Sequence, residues 1–312
     1  MNQSSSNVFM IRPSSFRMND ETATNNHYQK ALEGRSEFSI IENAQAEFDG
    51  LVKTLISSGI EVIVFEENAD HDTPDAVFPN NWISTHEDGC VCLYPMYAKN
   101  RRLERREDIP LILAHQYHFN VSEIIDFTEF ESHEKFLEGT GSMVLDRKHK
   151  KAYAALSERT DQRALEHFCE QMDYTPVPFN AFQTIDNQRL SIYHTNVMMS
   201  VGSGFAAICL DAIDDPVEKN SVMQSLKEDG LEIIVLDENQ INQFAGNMLE
   251  LVGTGGQPFV VMSEQGLNSL RPAQISAIEA HAQIISAPLP TIETLGGGSA
   301  RCMIAEIHLA RS

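Results

Sequence analysis

The sequence predicts an α/β fold made of five similar units arranged in a closed ring. Three observations predict it: one order of elements recurs along the chain, the strands come in hairpin pairs, and each chain end holds only part of a unit. Each unit is expected to contain, in order, a strand, a turn, a strand, a helix and a strand. A ring closed by pairing the N- and C-terminal strands is a five-bladed α/β propeller with pseudo-fivefold repeats and few exposed strand edges.

The first unit needs both ends of the chain. The N-terminal part supplies the strand "NVFMIRP", the helix "NAQAEFDGLVKTLISSG" and the strand "IEVIVFE". The stretch "RCMIAEIHLA", near the C-terminus, supplies the remaining strand.

The second unit begins with a hairpin predicted over "NNWISTHEDGCVCLYPM". A helix is predicted over "NRRLERREDIPLILAHQY", and the strand "SEIIDF" ends the unit.

The three remaining units repeat this order. In the third, Arg159 to Met172 has helical spacing, with Ala164, Leu165 and Phe168 on one face. The stretches that predict the elements of these units are "GSMVLDRKHKKAYAAL" and "YTPVPF", then "TNVMMSVGSGFAAICLDAI", "VEKNSVMQSLKEDG" and "LEIIVL", then "GNMLELVGTGGQPFVVMS", "PAQISAIEAHA" and "QIISAPL".

The unit boundaries follow from these patterns. The expected units cover roughly residues 1–70 plus 296–312, 71–128, 136–180, 190–237 and 244–290, so residues 1–312 make one domain. A doubly wound α/β sheet is the alternative. It is disfavoured because the strands come in hairpin pairs and no Gly-x-Gly-x-x-Gly pattern follows a strand.

Composition narrows the class of function. Lys and Arg total 23 and Asp and Glu total 45, for a formal net charge of −22, and such a surface repels nucleic-acid phosphates and anionic lipid. No secretory signal pattern is visible, and no apolar run approaches the roughly 18 residues of a membrane span. The five cysteines are irregularly spaced, which favours reduced thiols in a cytoplasmic protein.

Small, polar or reactive residues mark the predicted start of the first strand in every unit. These starts read Asn80-Asn81-Trp82, Gly141-Ser142-Met143, Thr195-Asn196-Val197, Gly246-Asn247-Met248 and Arg301-Cys302-Met303. Equivalent positions of a ring converge on its axis, so these starts are expected to meet in one central polar cavity. His194 and Glu138 lie just upstream of two of them.

Five motifs carry a resemblance to a known superfamily. They are "DAVFPNNW", "LEGTGS", "LSERTDQR", "YHTNV" and "GGGSARC", and they span residues 75 to 302. In this order they resemble the motifs of the guanidino-group-modifying superfamily, the penteins, which includes arginine deiminases, dimethylarginine hydrolases and amidinotransferases. The chain looks most like the citrulline-utilisation hydrolases. The resemblance implies a five-bladed α/β propeller, in agreement with the repeat count.

The resemblance also implies an active site. Cys302 would be the nucleophile, because a thiolate can attack an sp² carbon bonded to nitrogen. His194 would act as general acid and base, and Glu138 would hold the histidine ring or the substrate nitrogens. Substrate contacts are expected from Asp75, Phe78, Asn81, Arg102, Arg159 and Asn196.

These substrate contacts have distinct expected roles. Arg159 matches the family arginine that binds the substrate α-carboxylate in a bidentate pair. Arg102 is preferred to its neighbour Arg101 as a second carboxylate contact, although the register of the match leaves both open. Asp75 matches a carboxylate on the substrate side, and Phe78 is expected to form an apolar wall.

Two departures from the family pattern bear on the substrate. Superfamily members that act on a guanidinium cation commonly hold it between two aspartates, whereas this sequence has Asn81 and Asn196 at those places. Two amides would leave a buried cation unpaired, but they can donate to and accept from a neutral ureido group. The substitutions therefore favour citrulline, hydrolysed to ornithine, ammonia and carbon dioxide. Dimethylarginine hydrolases also lack the second aspartate, so a guanidino substrate is the alternative.

Other functions stay open at this point. An arginine deiminase or dimethylarginine-type hydrolase could use Asp75 and Glu138 as counter-charges, and an amidinotransferase could use the same thiolate with an amine acceptor. A silent ligand-binding member is disfavoured by the intact Cys, His and Glu. No metal or organic cofactor is expected, since the histidines lack HExxH-type spacing. The expected partner is a small ureido or guanidino amino acid; a homodimer stays open.

Overall fold

The strands of the protein form five three-stranded sheets and one separate hairpin in the residues that the structure, a computed structural model, describes: 2–31, 34 and 36–311. The strands are β1 (Asn7–Arg12), β2 (Glu61–Glu66), β3 (Ile83–Thr85), β4 (Cys90–Leu93), β5 (Glu123–Asp126), β6 (Val144–Asp146), β7 (Lys151–Leu156), β8 (Thr175–Asn180), β9 (Phe182–Ile185), β10 (Gln188–Ser191), β11 (Met199–Val201), β12 (Phe205–Ile208), β13 (Glu232–Val235), β14 (Leu249–Val252), β15 (Pro258–Ser263), β16 (Gln283–Ala287) and β17 (Ala305–Glu306).

Helices connect and cover these sheets. The α-helices are α1 (Asp20–Ala23), α2 (Glu37–Ser57), α3 (Asp108–His115), α4 (Gly139–Ser142), α5 (Gln162–Met172), α6 (Pro216–Glu228), α7 (Glu238–Ile241), α8 (Glu264–Ser269), α9 (Pro272–Glu279) and α10 (Pro290–Gly296). Short 3-10 helices cover Pro79–Asn81, Asn100–Glu104, Thr128–His133, Thr195–Val197, Leu210–Ala212 and Thr254–Gly256.

All five three-stranded sheets share one pattern. Their strand orders are β17-β1-β2, β3-β4-β5, β6-β7-β8, β11-β12-β13 and β14-β15-β16. In each, the central strand pairs antiparallel with the strand named first and parallel with the strand named last. The parallel step is made through a helix, because parallel neighbours need a crossover connection. The α/β class predicted from the sequence is therefore confirmed, with the predicted order of elements inside each unit.

The first sheet joins the two ends of the chain. Strand β1 pairs antiparallel with β17, so that Val8 lies opposite Glu306 and Phe9 lies opposite Ala305. This is the terminal strand pairing that the sequence predicts.

Each sheet also contacts its neighbour along the chain. Strand β17 contacts β3, the turn α4 contacts β3, and β6 and β14 both contact β11. The fifth sheet returns to the first, because the Val252 N–H donates to the Ser5 carbonyl at 2.9 Å.

Capping residues shift several helices from their predicted bounds. Helix α5 begins at Gln162 instead of Arg159, because the Asp161 carboxylate caps it by accepting from the N–H groups of Arg163 and Ala164. Arg159 therefore lies in the turn before the helix. Helix α2 begins at Glu37, earlier than predicted, because Ser36 caps it.

Two other stretches differ from the prediction. The helix predicted over residues 100–117 is interrupted: a 3-10 helix covers Asn100–Glu104, and α3 starts only at Asp108. No helix is predicted over residues 290–296, but the structure has helix α10 there, and Gly297 caps its C-terminal end with φ of 61°. Glycine adopts that left-handed conformation without the steric cost of a side chain.

Apolar side chains fill the space between helices and sheets. On α2, the residues Phe48, Leu51 and Leu55 are fully buried and pack in one cluster with Val8 of β1 and Met303 near β17. Burying each such side chain stabilises the fold by about 1.5–3 kcal/mol. This packing fixes the end of the chain that carries Cys302. Among the described residues, no helix is long and apolar enough to cross a bilayer.

Candidate functional site

Six of the nine site residues predicted from the sequence line one cavity with an empty volume of about 250 Å³. The cavity is lined by Asn26, Asp75, Phe78, Asn81, Arg101, Arg159, Tyr193, His194, Gly296, Gly298 and Cys302. Two more predicted residues contact this lining, because Glu138 is bonded to His194 and Asn196 to Cys302. The remaining one, Arg102, lies elsewhere.

The polar side chains reach the cavity from short turns that precede the first strands. Asn81 is the last residue of the 3-10 turn Pro79–Asn81, and Asn196 lies within the 3-10 turn Thr195–Val197. Gly141 lies in the single α-turn α4. The sequence prediction placed these residues at the strand starts themselves. A helical turn changes the chain direction just before the strand, and this brings equivalent residues of different sheets together.

The Cys302 sulfur is buried and is held by two side-chain amides. Its Sγ atom lies 3.2 Å from Nδ2 of Asn247 and 3.5 Å from Nδ2 of Asn196. The Cys302 N–H donates to the Ser299 carbonyl at 2.9 Å, which closes a tight turn. The cysteine is 3% exposed. Two side-chain N–H groups therefore lie within reach of the sulfur as donors.

The glycine run before Cys302 has a steric explanation. A Cβ atom on Gly298 would lie 2.9 Å from the Phe78 ring and 3.3 Å from Cβ of Cys302. A Cβ atom on Gly296 would lie 2.7 Å from the same ring. The absent side chains let Phe78 pack against the backbone as an apolar wall of the cavity, in agreement with the expected position of that residue.

His194 and Glu138 form a fully buried pair. His194 Nε2 lies 2.8 Å from one Glu138 carboxylate oxygen, and the Tyr97 N–H donates to the other at 2.9 Å. Because the carboxylate accepts at Nε2, the proton of a neutral ring is on Nε2 and Nδ1 carries the lone pair. Nδ1 borders Gly141, where a Cβ atom would lie 2.8 Å from it.

Burial and charge set the protonation of this pair. Burial lowers the pKa of His194 to about 4, against the raising effect of Glu138. Burial opposes ionisation of Glu138, but the charge of Arg159, the His194 hydrogen bond and the charge of Arg101 together bring its pKa down to about 2. Near pH 7 the pair is therefore a carboxylate beside a neutral imidazole.

Arg101, and not the preferred Arg102, lines the cavity. Arg101 is 2% exposed and forms a bidentate pair with Glu104, at 2.9 Å for both contacts. Arg102 lies on a separate groove, where its Nε atom donates to the Met96 carbonyl at 3.0 Å and lies 3.4 Å from Glu131. Successive residues of a 3-10 turn point about 120° apart. The structure therefore corrects the preference for Arg102.

Arg159 is fixed by the segment that covers the cavity. Its Nη2 atom donates to the Thr22 carbonyl at 2.9 Å, and its Nε atom donates to the Asn25 side chain at 2.9 Å. Its Nη1 atom lies 3.6 Å from Glu138, and the guanidinium stacks on the Tyr193 ring. Nη1 is thus the nitrogen left to contact a ligand in the cavity.

Two buried polar atoms on the cavity have no partner in the described part of the chain: Oδ1 of Asp75 and Nδ2 of Asn81. The other carboxylate oxygen of Asp75 accepts from Asn19 at 2.8 Å and from Thr22 at 3.1 Å. The Asn81 carbonyl oxygen accepts from Nη1 of Arg101 at 2.9 Å. Buried polar atoms are rarely left unpaired, so these two mark where a ligand can bond.

The segment 12–26 lies over the cavity. Asn19 and Thr22 contact Asp75, and the Asn26 amide donates to the Gly296 carbonyl at 3.3 Å. The stretch 288–298 also lines the cavity, through Gly296 and Gly298.

Sequence reasoning did not assign a role to three residues at this site. Asn247 occupies the place in its unit that Cys302 occupies in the first unit, and this equivalence predicts that the two residues lie close together. Tyr193 and Asn26 also line the cavity. Asn26 carries no motif that could have identified it.

A metal site is not found on this cavity. Within residues 2–31, 34 and 36–311, the group with ligand atoms close enough to hold an ion is Asp146, His149 and Asp229. None of these lines the cavity, and Lys151 Nζ already lies 2.6 Å from Asp229.

Comparison with known families gives a match over most of the chain. The model of the family described as N,N dimethylarginine dimethylhydrolase, eukaryotic, matches residues 12–309. A search of curated proteins gave no match.

Solved structures with the same fold include the apo structure of ArgZ, an arginine dihydrolase from the ornithine-ammonia cycle in cyanobacteria. It is 18% identical, with a TM-score of 0.70, and the match covers 96% of this chain and 40% of ArgZ. The product-bound N-terminal domain of ArgZ matches with 18% identity and a TM-score of 0.69. This match covers 97% of this chain and 99% of the ArgZ domain. A third match is a dimethylarginine dimethylaminohydrolase variant, solved as an adduct with S-methyl-L-thiocitrulline. It is 11% identical, with a TM-score of 0.60, and the match covers 96% of this chain and 98% of that enzyme. This chain thus spans two-fifths of full-length ArgZ, and these likenesses establish the fold.

Proposed function

Because this chain belongs to the N,N dimethylarginine dimethylhydrolase family of the pentein superfamily, we propose that it hydrolyses citrulline to ornithine, ammonia and carbon dioxide through a covalent adduct on Cys302. Membership of the family makes it a cysteine-dependent hydrolase of C–N bonds. The substrate and the roles of individual residues are our proposal.

The orientation of the Asn81 amide is the observation that carries this choice of substrate. Its carbonyl oxygen is occupied by Arg101, so the amide presents its N–H donor to the cavity. A guanidinium group has no acceptor for that donor, whereas a ureido group offers its carbonyl oxygen. A ureido substrate therefore satisfies Asn81, and a guanidinium would leave the donor buried and unpaired.

The charges around the cavity support the same substrate. Glu104 and Glu138 are already engaged by Arg101 and by Arg159 with His194. Among the described residues that line the cavity, Asp75 is the one whose carboxylate has an oxygen without a partner. Citrulline brings an α-ammonium group for Asp75 and an α-carboxylate for Nη1 of Arg159, with no further cation to neutralise. Arginine would add a cation without a second free carboxylate.

The chemistry follows from the protonation of the site. The Cys302 thiol gives its proton to Nδ1 of His194, and the sulfur bonds to the ureido carbon. His194 returns the proton to the departing nitrogen as the C–N bond breaks, leaving a carbamoyl group on sulfur. Water, deprotonated by His194, then attacks this group and the C–S bond breaks. The resulting carbamate decomposes, and the whole reaction consumes one water per citrulline.

The pH dependence of turnover tests the role of His194. Since its pKa is lowered to about 4, the ring stays neutral well below the usual histidine range and can accept the thiol proton there. We expect the acid limb of kcat/KM to bend near pH 4, and below it the rate should fall because the ring is protonated. Initial rates from about pH 3.5 to 8 measure this, with circular dichroism at each pH to confirm folding. A bend near the ordinary value of about 6.5 would contradict it.

We further propose that the five sheets are the blades of a five-bladed propeller forming one domain, with the units expected from the sequence. The shared strand order, the contacts between successive sheets and the β1–β17 pairing support this. The free cysteines Cys90, Cys92, Cys169, Cys209 and Cys302 support a cytoplasmic location.

A guanidino substrate, arginine or a methylated arginine, is the second candidate. The free Oδ1 atom of Asp75 favours it, since that oxygen could accept from a guanidinium. The matched family is named for hydrolysis of dimethylarginine, and ArgZ is described as an arginine dihydrolase. An amidinotransferase would use the same thiolate but would need an amine acceptor.

The substrate assay separates these candidates. We expect ornithine and ammonia from citrulline, and no citrulline from arginine or methylated arginines. Asn81→Asp should lower kcat/KM for citrulline by about 10- to 100-fold, because a buried donor is replaced by a second acceptor. Asn80→Asp is the matched control, since Asn80 is equally buried but bonds to Thr140 outside the cavity. Citrulline formed from arginine by the wild type would overturn the proposal.

A further inference from the structure

We infer that Asn247 is a catalytic residue that stabilises the negative charge formed on the Cys302 sulfur, with Asn196 as the weaker second donor. The inference rests on the proposal that Cys302 is the nucleophile, and it is independent of which substrate the nucleophile attacks.

The orientation of the Asn247 amide is fixed by backbone groups. Its Oδ1 atom accepts from the Arg301 N–H at 3.0 Å, and its Nδ2 atom donates to the Asn196 carbonyl at 3.0 Å. A backbone N–H cannot accept and a backbone carbonyl cannot donate, so the amide cannot be turned over. Its second N–H then points to Cys302 Sγ, at 3.2 Å.

Asn196 is less firmly oriented. Both its Nδ2 atom, at 3.5 Å, and its Oδ1 atom, at 3.9 Å, lie near the sulfur. The Asn247 contact is shorter and is the one that the surrounding backbone imposes.

Close packing of two turns brings Asn247 to this place. A Cβ atom on Gly246 would lie 2.4 Å from the Val197 carbonyl oxygen, so only glycine allows the two turns to approach so closely. The approach puts Asn247, which is fully buried, beside Asn196 and the sulfur.

In the described part of the chain, the basic groups beside Cys302 bond to other partners, and the charge of Arg301 acts on Cys302 only over distance. His194 is neutral near pH 7 and its Nε2 atom is committed to Glu138. The guanidinium of Arg301, the residue before Cys302, is turned to Glu306 at 3.1 Å and to the Ile304 carbonyl at 3.0 Å. The thiolate that forms when Cys302 gives its proton to His194 is therefore stabilised by N–H groups of amides, which strengthen when the acceptor becomes charged.

Alkylation of Cys302 tests this without any substrate. The rate of reaction with iodoacetamide, a neutral reagent, is measured at pH 7 and at about pH 10, where a thiol with an ordinary value of about 8.5 is ionised. Mass spectrometry of the Cys302 peptide separates it from the other cysteines. The variants are Asn247→Asp, which keeps the acceptor for Arg301, and Asn247→Leu, which removes the donor without adding charge. Asn80→Asp, a buried asparagine off the sulfur, is the control.

We expect both Asn247 variants to slow alkylation at pH 7 by about 10-fold or more, with the rate at about pH 10 within a few-fold of wild type. The other ionisable groups on the cavity, namely Asp75, Arg101, Arg159, Tyr193 and His194, are the same in all variants. Unchanged rates at pH 7, or equal slowing at both pH values, would overturn the inference. If citrulline is not a substrate but the pH-dependent slowing is found, the proposed substrate fails and this inference stands.

Discussion

Replacement of Cys302 by alanine is expected to lower citrulline turnover by about 10⁴-fold or more, with the fold intact. No other group on the cavity can form the carbon–sulfur bond, and losses of this size follow removal of a covalent nucleophile. The sulfur is small and packs beside Phe78 and Gly298, so the substitution should cost only about 1–2 kcal/mol of folding free energy. Ornithine production and urea unfolding of the same sample measure the two effects.

The control for this experiment is Cys90→Ala, which removes a partly exposed thiol remote from the cavity. It should retain wild-type turnover. Mass spectrometry of quenched wild-type enzyme should also find the carbamoyl group on the Cys302 peptide. Turnover by Cys302→Ala at a wild-type rate would show that the proposed mechanism is wrong.

Replacement of Glu138 by glutamine is expected to lower kcat by about 10³- to 10⁴-fold, and to destabilise the fold because it removes the carboxylate 3.6 Å from Nη1 of Arg159. An amide of the same shape can donate to Nε2 of His194, which would move the ring proton to Nδ1. That tautomer cannot accept the thiol proton, and the wrong histidine tautomer is known to cost about this much in other enzymes. Because the imidazole stays in place, KM for citrulline should change far less than kcat.

Glu138→Ala should differ from the glutamine variant in stability. Both variants remove the carboxylate 3.6 Å from Nη1 of Arg159, and breaking a buried pair costs about 3–5 kcal/mol. Alanine also leaves the Tyr97 N–H without its acceptor, so it should be the less stable of the two. Urea unfolding of both variants measures this difference. Glu131→Gln is the matched control, since Glu131 also pairs with arginines but lies off the cavity. Equal kcat in Glu138→Gln and wild type would exclude the proposed role.

Repetition along the chain predicts which residues of the candidate site lie close together, because equivalent places in different units meet in the structure. Cys302 and Asn196 occupy equivalent places in different units, and their side chains are in contact. Neither helical propensity nor local composition predicts that these two residues are in contact. The ordered motifs then indicated His194 and Glu138, whose direct bond the structure contains.

Other features of the site depend on the orientation of side chains, which the residue type at a single position does not indicate. The choice between Arg101 and Arg102 depends on which side of one 3-10 turn faces the cavity, and their side chains are chemically identical. The free donor of Asn81 depends on Arg101 occupying the other end of the amide. The contribution of Asn25 and Thr22 to holding Arg159 depends on how a turn-rich segment folds back over the site.

The pairing of β1 with β17 has a consequence for how the enzyme is made. Val8, near the beginning of the fold, pairs with Glu306, only four residues after the proposed nucleophile. During synthesis on the ribosome, the antiparallel partner of β1 does not exist until β17 has been made, and such distant pairings form slowly. We therefore expect a nascent chain to acquire activity only after Cys302 and β17 have emerged.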